Sequence, residues 1–252
     1  MTKIILSFVF VIACGTFSSA QSLLYFPQIA DGIQGSTQWT SALVVTNTAA
    51  PGAATANGTL TFTQDNGTPL NVALFDERNS FVGSGNSFSF QITGGQTKLY
   101  FTNGAGTLSQ GFATVSSNVP VTGTAVFFEG VVNGGLISQA GVVPATPLTR
   151  QAILAVQDDS VSTAVAVANP GNSTATATFQ LLDTAGVSSL ASVTRTVAAH
   201  NHIAFFINQL FPSLASQFYG TLRITSDSSL VTTGLLFQTS GQFATLAVFP
   251  LQ

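Results

Sequence analysis

Histidine is the side chain best suited to proton transfer and metal ligation near neutral pH. This chain has two, His200 and His202. On a strand, residues two apart face the same side, so the pair could offer two imidazoles to one cation. A metal site needs further ligands, and the single cysteine and sparse carboxylates supply no evident set. The alternative reading puts His200 in a turn and His202 beside it as a cap, both with polar tips in water. Serine hydrolysis would need one of these histidines against a carboxylate such as Asp158 or Asp183, yet no G-x-S-x-G elbow occurs. Glycoside hydrolysis would need a carboxylate pair from only nine acidic residues. Asp158 and Asp159 are adjacent and would point to opposite faces of a strand. Asp65, Asp183 and Asp227 read as turn or corner residues, and Glu129 as the solvated end of a strand. No calcium-loop pattern is present, and Gly83-Ser84-Gly85 lacks the lysine of a phosphate loop. No catalytic, metal or cofactor site is assigned, and a non-enzymatic protein is expected.

Trp39 is the remaining candidate. Sugar-binding sandwiches stack sugar rings on exposed aromatic residues, and Trp39 is the sole tryptophan. It is the candidate ligand-binding residue, provided that it is exposed with amide side chains around it. The competing reading has it covering the end of the sandwich. The 21 phenylalanines read as core.

These residues must be positioned by strands. The block Gly111 to Phe128 (GFATVSSNVPVTGTAVFF) recurs as Gly220 to Phe237 (GTLRITSDSSLVTTGLLF), an offset of 220 − 111 = 109 residues. Gly, Ser, Thr and Phe match at both ends and in the middle. Each copy reads as strand, polar corner, strand. Around the block the chain repeats a strand ending in Asn47 or Asn169, with the amide placed to cap the following turn. Hairpin signals follow at Asp65-Asn66-Gly67 and Asp183-Thr184-Ala185-Gly186. Phe75 to Gly85 is extra material in the first copy and reads as a solvated loop. Asn208 to Gln217 is extra in the second and reads as one or two turns of helix interrupted by Pro212. The expected fold is all-β: two tandem antiparallel β-sandwiches, residues 21–147 and 148–252. Their strand order could be immunoglobulin-like or jelly-roll-like. Pro144-Ala145-Thr146-Pro147 is a short, stiff linker.

Residues 1–20 have the anatomy of a secretory signal: Lys3, an apolar run from Ile4 to Ala13 too short to span a bilayer, and Ser18-Ser19-Ala20 before cleavage. A second reading takes Val11-Ile12-Ala13-Cys14 as a lipobox with a lipid anchor on Cys14. Both imply export, to the extracellular space or the cell surface. Charged residues make up 6% of the chain and the formal net charge is −3, so no basic field for nucleic acid exists. A surface so poor in charge suits an assembly or a cell-surface setting.

LLYFPQIADG, the strand from Trp39-Thr40 to Asn47, AAHNHIAFFINQLFP at 198–212 and the pair Gly220 to Phe237 together resemble a tandem module of secreted proteins of environmental bacteria. The resemblance covers nearly all of the chain after residue 20 and implies an extracellular β-sandwich repeat. The first copy departs from it at Gly95, Gln96 and Thr97, where the second has the His-Asn-His turn. The expected function is a structural or cell-surface adhesion protein. Its partners would be itself, through the apolar strand of Leu23, Leu24, Tyr25, Phe26 and Ile29, or another surface component. The alternative is an extracellular module that binds polysaccharide or a surface partner.

Overall fold

The structure, a computed structural model, describes residues 22–252. The signal-peptide and Cys14 readings lie outside the described residues. Ten strands form the first module: β1 (Ser22–Gln34), β2 (Thr37–Asn47), β3 (Ala56–Gln64), β4 (Val72–Asp76), β5 (Phe81–Gly85), β6 (Ser87–Ile92), β7 (Thr97–Thr102), β8 (Ser109–Ser117), β9 (Val121–Val131) and β10 (Leu136–Val142). The second module holds β11 (Leu148–Gln157), β12 (Val161–Ala168), β13 (Ala175–Asp183), β14 (Val193–Val197), β15 (His202–Phe206), α1 (Ile207–Leu210), β16 (Phe218–Gln238), β17 (Phe243–Leu246) and β18 (Val248–Pro250). Every strand pairing between these elements is antiparallel and stays within its module.

The pairing resolves the strand order. In the first module β1-β8-β3-β6 form one layer and β2-β7-β4-β5 the other, which is jelly-roll order. The pair β9-β10 extends the second layer beyond β2. The second module repeats this plan: β11, the first half of β16, β13 and β14 in one layer, and β12 with β15 in the other. It lacks a counterpart of β4-β5. In its place α1 and the next residue bury Ile207, Leu210 and Phe211 in the core.

Two local expectations are corrected. Phe75 to Gly85 is a hairpin rather than a solvated loop. The Asp76 carboxylate accepts the Arg78 and Ser80 backbone N–H groups at 3.0 and 2.8 Å, and Asn79 takes φ 58. Strong turn chemistry at its tip made it read as loop. In the second copy of the recurring block, β16 runs unbroken through Ser226-Asp227-Ser228-Ser229. Its first half pairs with β11 and β13 and its second half with β12, so one strand serves both layers. The first copy breaks because Pro120 has no N–H for the ladder. Both corners are still tied alike: Asn118 Oδ1 accepts the Asn57 N–H and Asp227 Oδ1 the Thr176 N–H, at 2.7 and 2.8 Å.

The matched glycines have a steric cause. A Cβ on Gly111 would lie 1.8 Å from the Thr63 carbonyl oxygen, and one on Gly220 2.0 Å from that of Leu182. Neither backbone contact could yield to a side chain. The paired asparagines cap as expected and reach further. Asn47 donates to the Ala54 and Ile92 carbonyls and accepts the Ala49 N–H. Asn169 donates to the Ser173, Val197 and Ala198 carbonyls and accepts the Gly171 N–H. Each buried amide thus ties the end of one strand to the turn before its neighbour.

Leu23 to Ile29 occupies β1. One side pairs with β8 from Ser22 to Phe26 and again from Ile29 to Asp31. On the other side the Tyr25 carbonyl accepts the Ala145 N–H at 2.8 Å, and the Ser41 hydroxyl bonds both backbone groups of Ala30. The register shifts between Phe26 and Ile29, the bulge that Pro27 signals. The strand runs through Asp31 and Gly32 to Gln34, with Gly32 at φ 117.

Replacing Asn169 by Ala strands one buried and two part-buried carbonyls and should cost about 1 to 3 kcal/mol. Urea unfolding of Asn169→Ala checks this, and a loss within error of zero would contradict the role of the amide.

Candidate functional site

The two modules meet over a chain of aromatic rings. Trp39 of β2 stacks on Phe127 of β9 at a centroid distance of 6.2 Å and on Phe243 of β17 at 5.9 Å. Phe127 and Phe243 stack at 5.0 Å, Phe243 meets Phe237 at 5.0 Å, and Phe237 meets Phe206 at 5.2 Å. Leu235 and Phe243 of the second module are buried in the core of the first. The Phe243 N–H donates to the Ser138 hydroxyl at 2.9 Å, and the Thr245 hydroxyl donates to the Gly141 carbonyl. Trp39 is therefore half-buried, with one face against phenylalanines.

Its remaining surface faces a cleft of about 270 Å³ between the modules. Phe205, Phe206 and Phe237 form the wall from the second module. Gln28, Gln34, Gln110 and Gln209 bring carboxamides. Among the described residues no charged side chain lines it. The cleft continues past Gln34, Leu108 and Gln110 into a more polar recess edged by Asp65 and Asn66. The bulge after Pro27 sets Gln28 here, 7% exposed. Gln28 Nε2 donates to the Ile29 carbonyl at 3.2 Å and to Gln110 Oε1 at 3.4 Å, while Gln28 Oε1 is buried without a partner.

Two carboxylates support the Trp39 end. Asp31, 6% exposed, accepts the Gly104 N–H at 2.8 Å and so holds the loop against which β2 turns. Burial pushes its acid upward, against the opposing hydrogen bonds from Thr102 and Gly104. Gln38 binds the same loop at the Asn103 and Gly104 carbonyls. Glu129 lies directly across the ladder from Trp39. It is half-buried within β9, not a solvated strand end, and burial raises its pKa.

The histidines separate. His200 sits in the turn at φ 60, as one reading expects. His202 does not point into water: it is 2% exposed, and its Nδ1 donates to Asp65 Oδ1 at 2.7 Å across the module boundary. The His202 N–H also donates to the Asp65 carbonyl at 3.0 Å. Among the described residues His202 Nε2 is buried with no hydrogen-bond partner, so none of their hydroxyls is placed for it to activate. The carboxylates weighed as its partners are engaged elsewhere. Asp183 accepts the Ala185 and Val187 N–H groups. Asp158 lies in the turn after β11 rather than on a strand, and binds Ser160, Val161 and the Tyr219 hydroxyl. Among the described residues no group of three His, Cys, Asp or Glu could hold a metal ion.

Sequence reasoning singled out Trp39 and missed the four glutamines around it. The one local signal is Pro27, whose missing N–H suits either an edge position or a bulge, and the structure has the bulge there. The Asp65–His202 pair spans 137 residues and no local pattern announces it.

No protein-family model matches the chain, and no curated protein sequence matches it. Among solved structures, it is similar to the isomalto-dextranase of Arthrobacter globiformis T6 complexed with panose, at 10% identity and a TM-score of 0.28. That likeness covers 82% of this chain and 35% of the dextranase, so the chain spans about a third of that enzyme. It is also similar to a lectin from Pleurotus ostreatus in complex with GalNAc, at 10% identity and a TM-score of 0.19, over 92% of this chain and 86% of the lectin. Likenesses this slight carry no argument about function.

Asp65→Ala removes the only partner that a buried imidazole has among the described residues and should cost about 1 to 3 kcal/mol in chemical unfolding; unchanged stability would contradict the tie. The Asp158 carboxylate is held well below the usual range, first by the Tyr219 hydroxyl and then by Ser160. Its folded pKa is depressed, so its contribution is complete above the unfolded value of about 3.9 and is lost as pH falls through the folded value. Tyr219→Phe should therefore raise the Asp158 pKa in a carboxyl-carbon NMR titration, and an unmoved pKa would refute the assignment.

Proposed function

We propose that this chain is a non-catalytic extracellular binding module that takes an uncharged glycan in the intermodule cleft beside Trp39. One observation carries the reading: aromatic rings and four carboxamides converge on a cleft that no charged side chain lines. A sugar ring has apolar C–H faces and a rim of hydroxyls. The faces suit Trp39 and the phenylalanines, and the hydroxyls suit amides that both donate and accept. The unpartnered Gln28 Oε1 is an acceptor that a hydroxyl, directly or through water, would satisfy. An uncharged cleft also disfavours phosphorylated or strongly ionic ligands, whose desolvation nothing there would offset.

Export belongs to the same proposal. It rests on residues 1–20 and on a surface so poor in charge. The rival reading is self-assembly through the strand of Leu23, Leu24, Tyr25, Phe26 and Ile29. It needs a free edge, whereas β1 is bonded on both sides and Leu23 alone among these five is strongly exposed.

Trp39 is the sole tryptophan, so intrinsic fluorescence reports the cleft directly. Titration with a panel of neutral oligosaccharides (glucans, xylan, mannan, galactan and chitin fragments) should give saturable quenching or a blue shift with at least one. Gln110→Ala and Gln34→Ala should each weaken that binding by about three- to ten-fold, a hydrogen bond's worth. Silence across the panel, or binding indifferent to both substitutions, would sink the proposal.

A further inference from the structure

A chamber of about 320 Å³, open to solvent on one side, lies between the intermodule linker and the second module, bounded by Val143–Thr146 and Leu148, the second half of β16 and the turn between β17 and β18. Gln151 of β11 lines it and is 0% exposed, yet neither Oε1 nor Nε2 has a hydrogen-bond partner. Thr232 lines the same chamber at 3% exposure, and its hydroxyl is also unpartnered. Thr233 and Thr245 add further hydroxyls, Leu148 and Val248 apolar wall.

The duplicated module shows that this polarity is not demanded by the fold. Leu24 pairs with Val115 in the first module, and Gln151 pairs with Ile224 in the second. Val115 and Ile224 are themselves equivalent by the 109-residue offset, 224 − 115 = 109. Gln151 therefore stands where the first module has Leu24, a residue packed against its core. By the same offset, 232 − 109 = 123, Thr232 stands where it has Gly123. Two positions that are half-buried and apolar or bare in the first copy are fully buried, polar and unsatisfied in the second. Buried amides and hydroxyls are costly without partners, and a volume of this size holds about ten waters' share of liquid.

We propose that the chamber is a second binding site, independent of the Trp39 cleft, for one small uncharged polyhydroxyl ligand of monosaccharide size. The occupant must donate to Gln151 Oε1, accept from Gln151 Nε2 and pair with the Thr232 hydroxyl. It carries no charge, because no ionisable side chain lines the chamber. It has an apolar face, because Leu148 and Val248 form part of the wall. A pyranose ring meets all three conditions.

The test uses the methyl pyranosides of glucose, galactose, mannose and xylose as probes, measured by calorimetric titration and by thermal shift. Gln151→Leu restores the residue type of the first module and should fold at least as well as the wild type. At least one pyranoside should bind the wild type and bind Gln151→Leu about ten-fold or more weakly, the loss expected when a site that pairs a hydroxyl is emptied of its partner. Comparing the two proteins cancels any general solute effect on the melting temperature. Should Gln151→Leu not fold, Thr232→Gly carries the same expectation. Retained binding in Trp39→Ala places the ligand in the chamber. Binding lost in Trp39→Ala but kept in Gln151→Leu places it in the cleft and overturns the proposal. A crystal of the wild type soaked with the pyranosides should show a ring against Gln151, whereas a chain of waters alone, with no pyranoside separating wild type from variants, would also overturn it.

Discussion

The aromatic chain from Trp39 through Phe127, Phe243 and Phe237 to Phe206 is the contact on which the rest depends. Each module closes most of its own core, but the first is completed by Leu235 and Phe243 of the second. Aromatic pairs add about 0.5 to 1.5 kcal/mol each beyond the area that they bury. A run of them across one boundary can therefore hold two modules as a unit where a short linker alone would not. The cleft exists only because that boundary is fixed. One wall comes from β1, β2 and β8 and the other from β12, β15 and β16.

The two modules follow one plan and depart from it in particular places. The two modules share jelly-roll order, capping asparagines and the close-approach glycines. They differ where each was free to differ. The first keeps the β4-β5 hairpin, and the second fills its core with Ile207, Leu210 and Phe211 instead. The second also gains His202, whose imidazole reaches back to Asp65 in the turn after β3 of the first. That pair and the Phe243–Ser138 hydrogen bond bracket the boundary with directional contacts, while the rings between them supply the area.

Strand existence was legible because alternation and turn residues are local. The Asn47 and Asn169 caps and the 109-residue repeat could both be read from the sequence. The strand order could not, since pairing β1 with β8 or β2 with β9 joins residues 74 to 95 positions apart. Local turn signals also misled. Asp76 to Ser80 and Ser226 to Ser229 both carry turn chemistry, yet one is the tip of a hairpin and the other lies inside β16. The candidate site was half legible. A single tryptophan drew attention to the right place, but glutamines carry no spacing rule, and Gln28, Gln34, Gln110 and Gln209 converge only through the packing of one module on the other.

The claim that both modules share one core is tested most directly by scanning calorimetry. A shared core predicts one cooperative transition, with the van't Hoff enthalpy equal to the calorimetric enthalpy. Phe243→Ala, which removes the ring at the centre of the boundary, should split that transition or lower the ratio of the two enthalpies. Two resolved transitions in the wild type, unaffected by Phe243→Ala, would mean that the modules fold apart and that the cleft between them is not a fixed feature of the molecule.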